Sequence, residues 1–416
     1  MQKQLCGILC GLMCLTWQTV WAEISAEVIQ QGFYPYAAEK PAAAELAPGT
    51  TISKDTWEIA KAYLPPEILD RVKAGEFAFA VQETTDLPVS AAYIEATKKH
   101  ADQVKLSAEG ELEGYVAGLP FPLLDPADPQ AGLKAAWNLR YRDFGDIMQV
   151  WNTFRLVPET GSPDREIENY YVVAYGMHRP LTDSVNPNKW EKDGVLYKEF
   201  YHILTPFDLK NTMSLKHRYV RDQANDDNWT YTPASRKVRK VIIRHEDTLY
   251  DSGALNEDYF GFWGYVRSYS WKFLGVQRLL APVGARVASA TFGGRGHWYP
   301  VDPWEVRVML VLEGTPKASD HPYSKRVLYI DQQTFTPVYT LLYDRQGRHQ
   351  RTVFDLYGNP QFNPGNEHVR VPVWIGESII DYESKNASMT IVTKILYNVP
   401  LPDDFFNLDK MMARGQ

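Results

Sequence analysis

The residue types that carry catalytic or metal-binding chemistry are present in this 416-residue sequence, but not in the spacings typical of a site. The nine histidines are dispersed, and none lies two or four residues from another, so the local spacing of zinc ligands is missing. The motifs G-x-S-x-G, H-E-x-x-H, G-x-x-x-x-G-K and G-x-G-x-x-G are also absent from the sequence. We therefore predict no catalytic residue, no metal site and no cofactor. Side chains that converge from separate strands are the alternative that spacing leaves open.

Two short polar segments are weak candidates for ion binding. Residues 225–228 (NDDN) resemble a cation loop, but they lack the glycine and the terminal glutamate of an EF-hand. Residues 293–296 (GGRG) are compatible with a small anion-binding nest of backbone N–H groups. A polar hairpin turn and a flexible loop explain the two segments better.

The densest chemical feature is aromatic. Residues 259–273 hold eight aromatic side chains in fifteen positions, with Gly261 and Gly264 between them. Packing in the hydrophobic core is one interpretation. The other is an aromatic flap over a hydrophobic pocket, where large rings meet an apolar ligand. In that second interpretation the candidate ligand-binding residues of this segment are Phe260, Phe262, Trp263 and Tyr265.

A second candidate segment, residues 229–240 (WTYTPASRKVRK), places aromatic side chains beside a basic cluster. Trp229 and Tyr231 are candidate ligand-binding residues. Arg236 and Arg239 are candidates for holding a carboxylate or phosphate headgroup while the apolar body of the ligand enters a cavity. The alternative interpretation is a solvated strand end.

Composition and charge disfavour several classes of protein. Hydrophobic residues make up 44% of the chain and aromatic residues 13%, which disfavours a disordered protein. The net charge of −7 disfavours a nucleic-acid binder. The sequence has one apolar run long enough to suggest a membrane segment, at its N-terminus, so a protein with several membrane spans is disfavoured.

The N-terminal run is typical of a secretory signal peptide. Lys3 supplies the positive charge, residues 5–15 are apolar, and Val20 and Ala22 are small residues at the −3 and −1 positions of a cleavage site. Cleavage after Ala22 removes all three cysteines, so we expect a periplasmic chain without disulfides. Met13 before Cys14 fits a lipoprotein signal poorly. An uncleaved membrane anchor is the alternative.

The elements that must position these side chains fall into distinct regions. Residues 23–52 are predicted to be a leader or linker, because much of this segment is rich in Ala and Pro without periodicity. Residues 53–148 predict four helices, beginning near Ser53, Pro65, Ser90 and Asp128. Residues 149–416 consist of short runs rich in β-branched and aromatic residues, separated by turn residues, and they predict an antiparallel sheet of about ten strands. We predict one domain over residues 53–416.

The predicted fold class is α+β, with a large curved antiparallel sheet whose concave face is covered by the N-terminal helices. A sheet of that size has to curl or close. Curling creates a concave apolar face that helices or a ligand must cover. The architecture therefore favours a pocket on that face.

Several segments resemble a family of exported bacterial proteins. The segment NWTYTPASRKVRKV at residues 228–241 is similar to a W-x-Y-x-P…R-x-V-R-[RK] pattern of the domain of unknown function 1329. Residues 118–122 (GLPFP), 128–138 (DPQAGLKAAWN), 144–146 (FGD), 323–331 (YSKRVLYID) and 343–348 (YDRQGR) fit the same family. The resemblance extends from about residue 50 to the end of the chain. It implies an incomplete antiparallel barrel like that of the lipoprotein carriers LolA and LolB, lined with apolar residues and lidded by helices.

The resemblance also implies that the protein handles a lipid or another hydrophobic molecule in the cell envelope, beside an inner-membrane transporter and an outer-membrane protein. A non-catalytic periplasmic carrier is the leading hypothesis. The alternatives are an envelope scaffold for a transporter complex, with exposed aromatic residues as its interface, and an enzyme that acts on a hydrophobic substrate. We expect no nucleic-acid partner.

Overall fold

The computed structural model describes residues 23–36, 44–180, 189–222, 224–248 and 252–415. The predicted signal peptide, residues 1–22, lies outside the described residues.

The helices are α1 (Ala26–Phe33), α2 (Pro66–Lys73), α3 (Ala91–His100), α4 (Ala131–Arg140) and α5 (Leu408–Gly415). The short strands are β1 (Thr51–Ile52), β2 (Phe79–Ala80), β3 (Lys105–Leu106), β4 (Leu112–Glu113), β12 (Val283–Ala285), β13 (Phe292–Gly293) and β14 (Tyr299–Pro300). The long strands of the N-terminal half of the sheet are β5 (Ile147–Pro158), β6 (Arg165–Tyr175), β7 (Val195–Thr205), β8 (Met213–Tyr219), β9 (Asp227–Thr232) and β10 (Lys237–Val241). Those of the C-terminal half are β11 (Tyr269–Ala281), β15 (Glu305–Pro316), β16 (Tyr323–Asp331), β17 (Pro337–Asp344), β18 (His349–Gly358), β19 (Val373–Asp381) and β20 (Asn386–Tyr397).

The predicted α+β class with a large, unclosed antiparallel sheet is confirmed. The main sheet has 14 strands, and thirteen of them follow the order β10-β9-β8-β7-β6-β5-β20-β19-β18-β17-β16-β15-β11. The remaining strand, β12, pairs in parallel with β18. Most neighbours are consecutive along the chain, as expected of a meander joined by short turns. The pairing of β5 with β20 joins the first long strand to the last.

Three of the four predicted N-terminal helices are present as α2, α3 and α4. Ser90 caps α3 by accepting a hydrogen bond from the Tyr93 amide. Helix α4 packs on β11 and β15. A Cβ atom at Gly132 would lie 2.4 Å from the Trp271 carbonyl oxygen, so this helix approaches the sheet closely because the position is glycine.

The helix predicted to begin at Ser53 is wrong. Residues 57–60 form a single 3₁₀ turn instead. The Thr56 hydroxyl accepts a hydrogen bond from the Ser53 amide and donates one to the Thr51 carbonyl, so local side-chain bonding replaces the first helical turn. Pro65 and Pro66 then stand at the start of α2, where proline is tolerated.

The segment predicted to be a leader or linker contains α1. The Ser25 hydroxyl accepts a hydrogen bond from the Val28 amide at the start of this helix. Ile29 and Phe33 are buried in the main hydrophobic core, and the Phe33 ring meets the Tyr93 ring of α3 edge-on at 6.0 Å. Spaced four residues apart, these two side chains share one face of the helix.

The strand register defines two faces of the sheet. The inner face carries Tyr171 of β6, Glu199 of β7 and Thr390 of β20, and the outer face carries Phe200 of β7 and Leu215 of β8. Directly paired residues share a face, and successive residues alternate between faces. On the outer face, Phe200 and Leu215 form a separate cluster with α5 and the C-terminal segment.

Candidate functional site

A cavity of about 130 Å³ lies on the inner face, among β5, β6, β7, β20 and the aromatic-rich segment. Its aromatic lining comprises Phe154, Tyr171, Tyr201, Tyr259, Phe260, Trp263 and Trp374. Its polar lining comprises Asn152, Asn169, Glu199, Lys216, Asn256 and Thr390. A dry engineered cavity of roughly 150 Å³ accepts benzene, so this space has room for one ring or a short stretch of alkyl chain.

Residues 259–266, which we name the aromatic plug, form one wall of the cavity and bridge distant strands of the inner face. The Phe260 amide donates to Glu377 Oε2 of β19 at 2.7 Å, and the Trp263 indole donates to Glu199 Oε1 of β7 at 2.8 Å. The Trp263 carbonyl accepts a hydrogen bond from Arg218 of β8 at 3.2 Å. The plug therefore ties the two halves of the sheet together.

The conformation of the plug depends on two residues with positive φ. Phe260 has φ 53° and Gly261 has φ 73°, a turn that an aromatic residue adopts only when its surroundings hold it there. A Cβ atom at Gly261 would lie 2.5 Å from the Pro337 side chain, so this position accepts only glycine without rearrangement. The turn directs the Phe260 ring against Trp374, with ring centroids 4.7 Å apart.

Glu199 is the main polar residue of the cavity wall. One carboxylate oxygen accepts from the Trp263 indole, and the other lies 3.1 Å from the Lys216 ammonium. Glu199 is buried, whereas Lys216 is half-buried. Burial, followed by the nearby Glu199 carboxylate, raises the pKa of Tyr171 well above its usual range, so this phenol stays neutral.

A carboxyl pair lies next to the plug, on the side of β18 and β19. Asp355 and Glu377 are directly opposite each other in the register, and both are buried. Burial raises the pKa of Asp355 to about 7. Burial and the neighbouring Asp355 raise the pKa of Glu377 above its usual range, so the pair retains a proton that exposed carboxyl groups would lose.

The structure brings two of the six predicted aromatic residues into the cavity, Phe260 and Trp263. Phe262 and Tyr265 belong to the same plug but point elsewhere. The Phe262 ring packs against Tyr269 and lies 4.7 Å from the Arg326 guanidinium carbon. The Tyr265 hydroxyl donates to Asp226 Oδ1 at 3.0 Å.

Trp229 and Tyr231 lie on the outer face, opposite the cavity. Trp229 pairs with Leu215, which pairs with Phe200, and this row of residues belongs to the outer face. Tyr231 is 1% exposed and packs in the cluster that α5 covers. The pleat of the sheet thus separates these two aromatic residues from Phe260 and Trp263.

The two predicted headgroup residues occupy the β9–β10 hairpin. Arg236 is exposed in the turn, with φ 49°. Arg239 is exposed on β10 and pairs with Thr230, in the row that leads through Ser214 to Tyr201 of the cavity wall. Arg239 therefore shares the inner face with the cavity, three strands from it, or about 14 Å.

Four important lining residues escaped the sequence analysis: Tyr171, Glu199, Lys216 and Trp374. Tyr171 lies within a predicted strand. The alternation of side chains along that strand places Tyr171 on one face and Tyr170 and Val172 on the other. Neither composition nor local spacing indicated which face was inner. Trp374 is more than one hundred residues from the plug in sequence, so only tertiary contact joins it to Phe260.

The buried acidic and basic side chains around His321 and Glu257 form hydrogen bonds with one another. His321 Nε2 lies 3.1 Å from Glu257 Oε1, and its Nδ1 accepts from the Tyr323 amide at 3.0 Å. Glu257 also accepts from Tyr269 and Arg326. All of these side chains are buried, which is the arrangement of a structural network rather than of a reactive group facing a substrate.

The polar segment around Asp226 is also structural. Asp226 Oδ1 lies 2.8 Å from Arg218 Nε. Burial opposes ionisation of this carboxyl, but the Arg218 guanidinium outweighs it and lowers the pKa.

Among the described residues, no group of three or more His, Cys, Asp or Glu side chains is arranged to hold a metal ion. In the same part of the chain, no helix is both long and apolar enough to cross a membrane.

Comparison with known proteins identifies the family. Residues 51–397 match DUF1329, described as a protein of unknown function. The chain belongs to the DUF1329 family. A relative of this DUF1329 chain by sequence is the uncharacterized protein PA3922 of Pseudomonas aeruginosa, 25% identical over 329 residues, which are 75% of this chain and 68% of the relative.

Solved structures similar to this DUF1329 chain include a putative outer membrane lipoprotein-sorting protein domain from Vibrio parahaemolyticus. It is 16% identical, with a TM-score of 0.48, over 68% of this chain and 100% of that chain. A DUF1329 family protein from Desulfovibrio piger is 16% identical, with a TM-score of 0.48, over 69% of this chain and 99% of that chain. The LolA superfamily protein NE2245 from Nitrosomonas europaea is 15% identical, with a TM-score of 0.40, over 65% of this chain and 94% of that chain.

Proposed function

We propose that this DUF1329 protein binds a lipid or another hydrophobic molecule in the periplasm, without catalysis, after export through a cleaved signal peptide. The observation that supports the proposal is the cavity on the inner face, whose lining is aromatic around Phe260, Trp263 and Trp374. An apolar cavity with a few polar groups is the usual form of a small-molecule site. The reactive side chains of the inner face, such as His321 and Glu257, are engaged with each other.

Affinity in such a site comes from removing apolar surface from water. Each buried methylene contributes about 0.8 kcal/mol, so a ring or a short alkyl segment supplies useful binding energy without any reactive group. The cavity of about 130 Å³ accommodates only part of a long-chain lipid. We infer that the bound part is the end of a chain or a ring, with the rest of the ligand outside.

The polar end of such a ligand has a basic surface available on the same face. Lys216 is in the cavity wall, and Arg239 is exposed about 14 Å from Tyr201 of that wall, along the row of paired residues that joins them. An amphiphile long enough to span that distance would place an anionic headgroup near Arg239. Arg236, in the adjacent turn, extends the same basic edge.

The direct test is the identification of what the protein carries. Native mass spectrometry of the full chain, purified from cell envelopes without detergent, should show a bound hydrophobic species that organic extraction removes. A protein that carries nothing, and that takes up no hydrophobic fluorophore when one is added, would contradict the proposal.

The position of the site is tested by filling the cavity. Thr390 lines the cavity from β20, and Thr390→Phe should fill it with a residue that strands accept readily. We expect at least tenfold weaker binding of a hydrophobic fluorophore, measured by titration. Thr393→Phe is the matched control, because Thr393 is exposed on the same strand. Equal binding by both variants would place the site elsewhere.

A further inference from the structure

The carboxyl pair next to the plug, Asp355 and Glu377, is hydrogen-bonded to the backbone of the plug, and we name this pair the latch. Asp355 and Glu377 lie opposite each other on β18 and β19, and Glu377 Oε2 accepts the Phe260 amide at 2.7 Å. Both oxygens of Asp355 and Oε1 of Glu377 are buried, with the Trp374 indole as a nearby donor to Asp355. Two carboxylates in direct contact repel each other unless a proton is shared between them.

The groups that face this pair limit the charge it can carry. From the segment after α4, the Arg142 guanidinium acts on Asp355 and favours its ionised form. From the segment that leads into the plug, Asp258 adds a further negative charge near Glu377. The Tyr357 phenol of β18 and the Trp374 indole of β19 also face the pair and carry no charge at neutral pH. One nearby cation therefore balances one negative charge, and a second ionisation is left uncompensated.

The plug is attached to the pair at its most constrained point. Phe260 and Gly261 are the two plug residues with positive φ, and Gly261 also lies against Asp355, whose Oδ2 would be 3.0 Å from an added Cβ atom. Movement of Glu377 or Asp355 would therefore act on the backbone turn that holds the Phe260 ring in the cavity wall.

We propose that the proton shared by Asp355 and Glu377 latches the aromatic plug, so that loss of this proton opens the cavity. The inference rests on the proposed binding function for its purpose, because an opened plug would admit a larger part of a hydrophobic ligand. The latch itself is a property of the apo protein and can be tested without any ligand.

The direction of the pH effect follows from the burial of the pair. With the plug closed, the pKa of Asp355 is raised to about 7 and that of Glu377 is also raised, whereas hydrated carboxyl groups titrate near 4. The closed form binds more protons, so it is most favoured at low pH and loses that advantage as the pH rises from about 4 through 7. Each carboxyl contributes up to about a tenfold change in the opening equilibrium per pH unit in that interval.

The test is hydrogen–deuterium exchange of the plug in the full-length purified protein between pH 5 and 8, corrected for the intrinsic pH dependence of amide exchange. We expect the corrected opening of residues 259–264 to increase at least tenfold over this range. Glu377→Gln keeps an oxygen for the Phe260 amide and a donor for Asp355, and it should reduce the increase because only Asp355 is left to titrate. Asp355→Asn is the second variant, with the same expected result.

Asp302→Asn is the matched control, because burial also raises the pKa of Asp302, which accepts the amide of Thr291, a residue outside the plug. This variant should keep the full pH response. Plug exchange that stays constant from pH 5 to 8, or that rises equally in Glu377→Gln, would overturn the latch. Because exchange needs no ligand, a failure of fluorophore binding alone would contradict the proposed function and leave the latch result standing.

Discussion

At the scale of single residues, buried charges on the inner face are held by one another. Arg326 is fully buried and donates to Glu257, with Asp258 Oδ1 at 3.5 Å and the Tyr269 hydroxyl at 2.9 Å. Asp258 in turn accepts from the Tyr323 hydroxyl at 2.7 Å. Such a network defines which strands meet, because each member loses its partner if the packing changes.

We predict that Arg326→Met destabilises the protein strongly. The change leaves Glu257 and Asp258 buried without their cation, and removal of one partner of a buried ion pair typically costs about 3–5 kcal/mol. Urea unfolding followed by tryptophan fluorescence measures the loss. Arg348→Met is the matched control, since the Arg348 side chain is 70% exposed in its pair with Asp344. If both variants unfold at the same urea concentration, the buried network is not structural.

At the scale of elements, the alternation of β9 places its two aromatic residues under α5. Tyr231 and Met411 are each 1% exposed and belong to the same outer cluster. Helix α5 contacts both β9 and β10. The C-terminal helix therefore covers the outer face of the strand pair that bears Arg239 on its inner face.

We predict that Met411→Asp undocks α5 without affecting the cavity. The buried carboxylate would have no partner, so the helix should separate from Tyr231 and become sensitive to limited proteolysis. Binding of the hydrophobic fluorophore should change by less than twofold, because the cavity lies on the other face. Ala413→Asp, at an exposed position of the same helix, should leave α5 protected. A large loss of fluorophore binding in Met411→Asp would contradict the assignment of the two faces.

At the scale of the whole molecule, the plug completes the inner face of a sheet that does not close. The order of strands ends at β10 on one side and at β11 on the other. Trp263 contacts Glu199 of β7, and Phe260 contacts Glu377 of β19, so one short segment connects strands from both halves. An open sheet of this size needs such a cover to bury its apolar face.

Export is a prediction about the whole chain. We expect the protein to be recovered from the periplasmic fraction with Glu23 as its first residue, because Val20 and Ala22 suit signal peptidase. N-terminal sequencing of the purified protein checks the cleavage site. Ala22→Phe should accumulate uncleaved precursor, whereas Thr19→Ala should be processed normally. A wild-type periplasmic protein that retains Met1 would refute the cleavage.

Much of the architecture was predictable from local patterns. The α+β class, helices α2, α3 and α4 and the antiparallel order of most strands follow from capping residues, turn residues and short β-branched runs. The helix predicted at Ser53 failed because Thr56 bonds to local backbone groups, a competition that propensity does not weigh. The aromatic density of residues 259–273 predicted either core packing or a pocket wall, and the structure places Phe262 in the core and Phe260 and Trp263 in both the core and the cavity wall.

The sequence by itself determined the class of fold, the family and the aromatic character of the plug, because these depend on composition and on contacts between near neighbours. Tertiary structure alone decided which aromatic residues share a cavity. Trp229 and Phe260 look equally suitable as ligand residues in the sequence, but strand register places Trp229 on the outer face and the turn at Gly261 directs Phe260 inward. The pairing of Glu377 with Asp355 was likewise decided by register. Side chains alternate between faces, so a slip of one residue would move one of these two carboxyl groups to the opposite face.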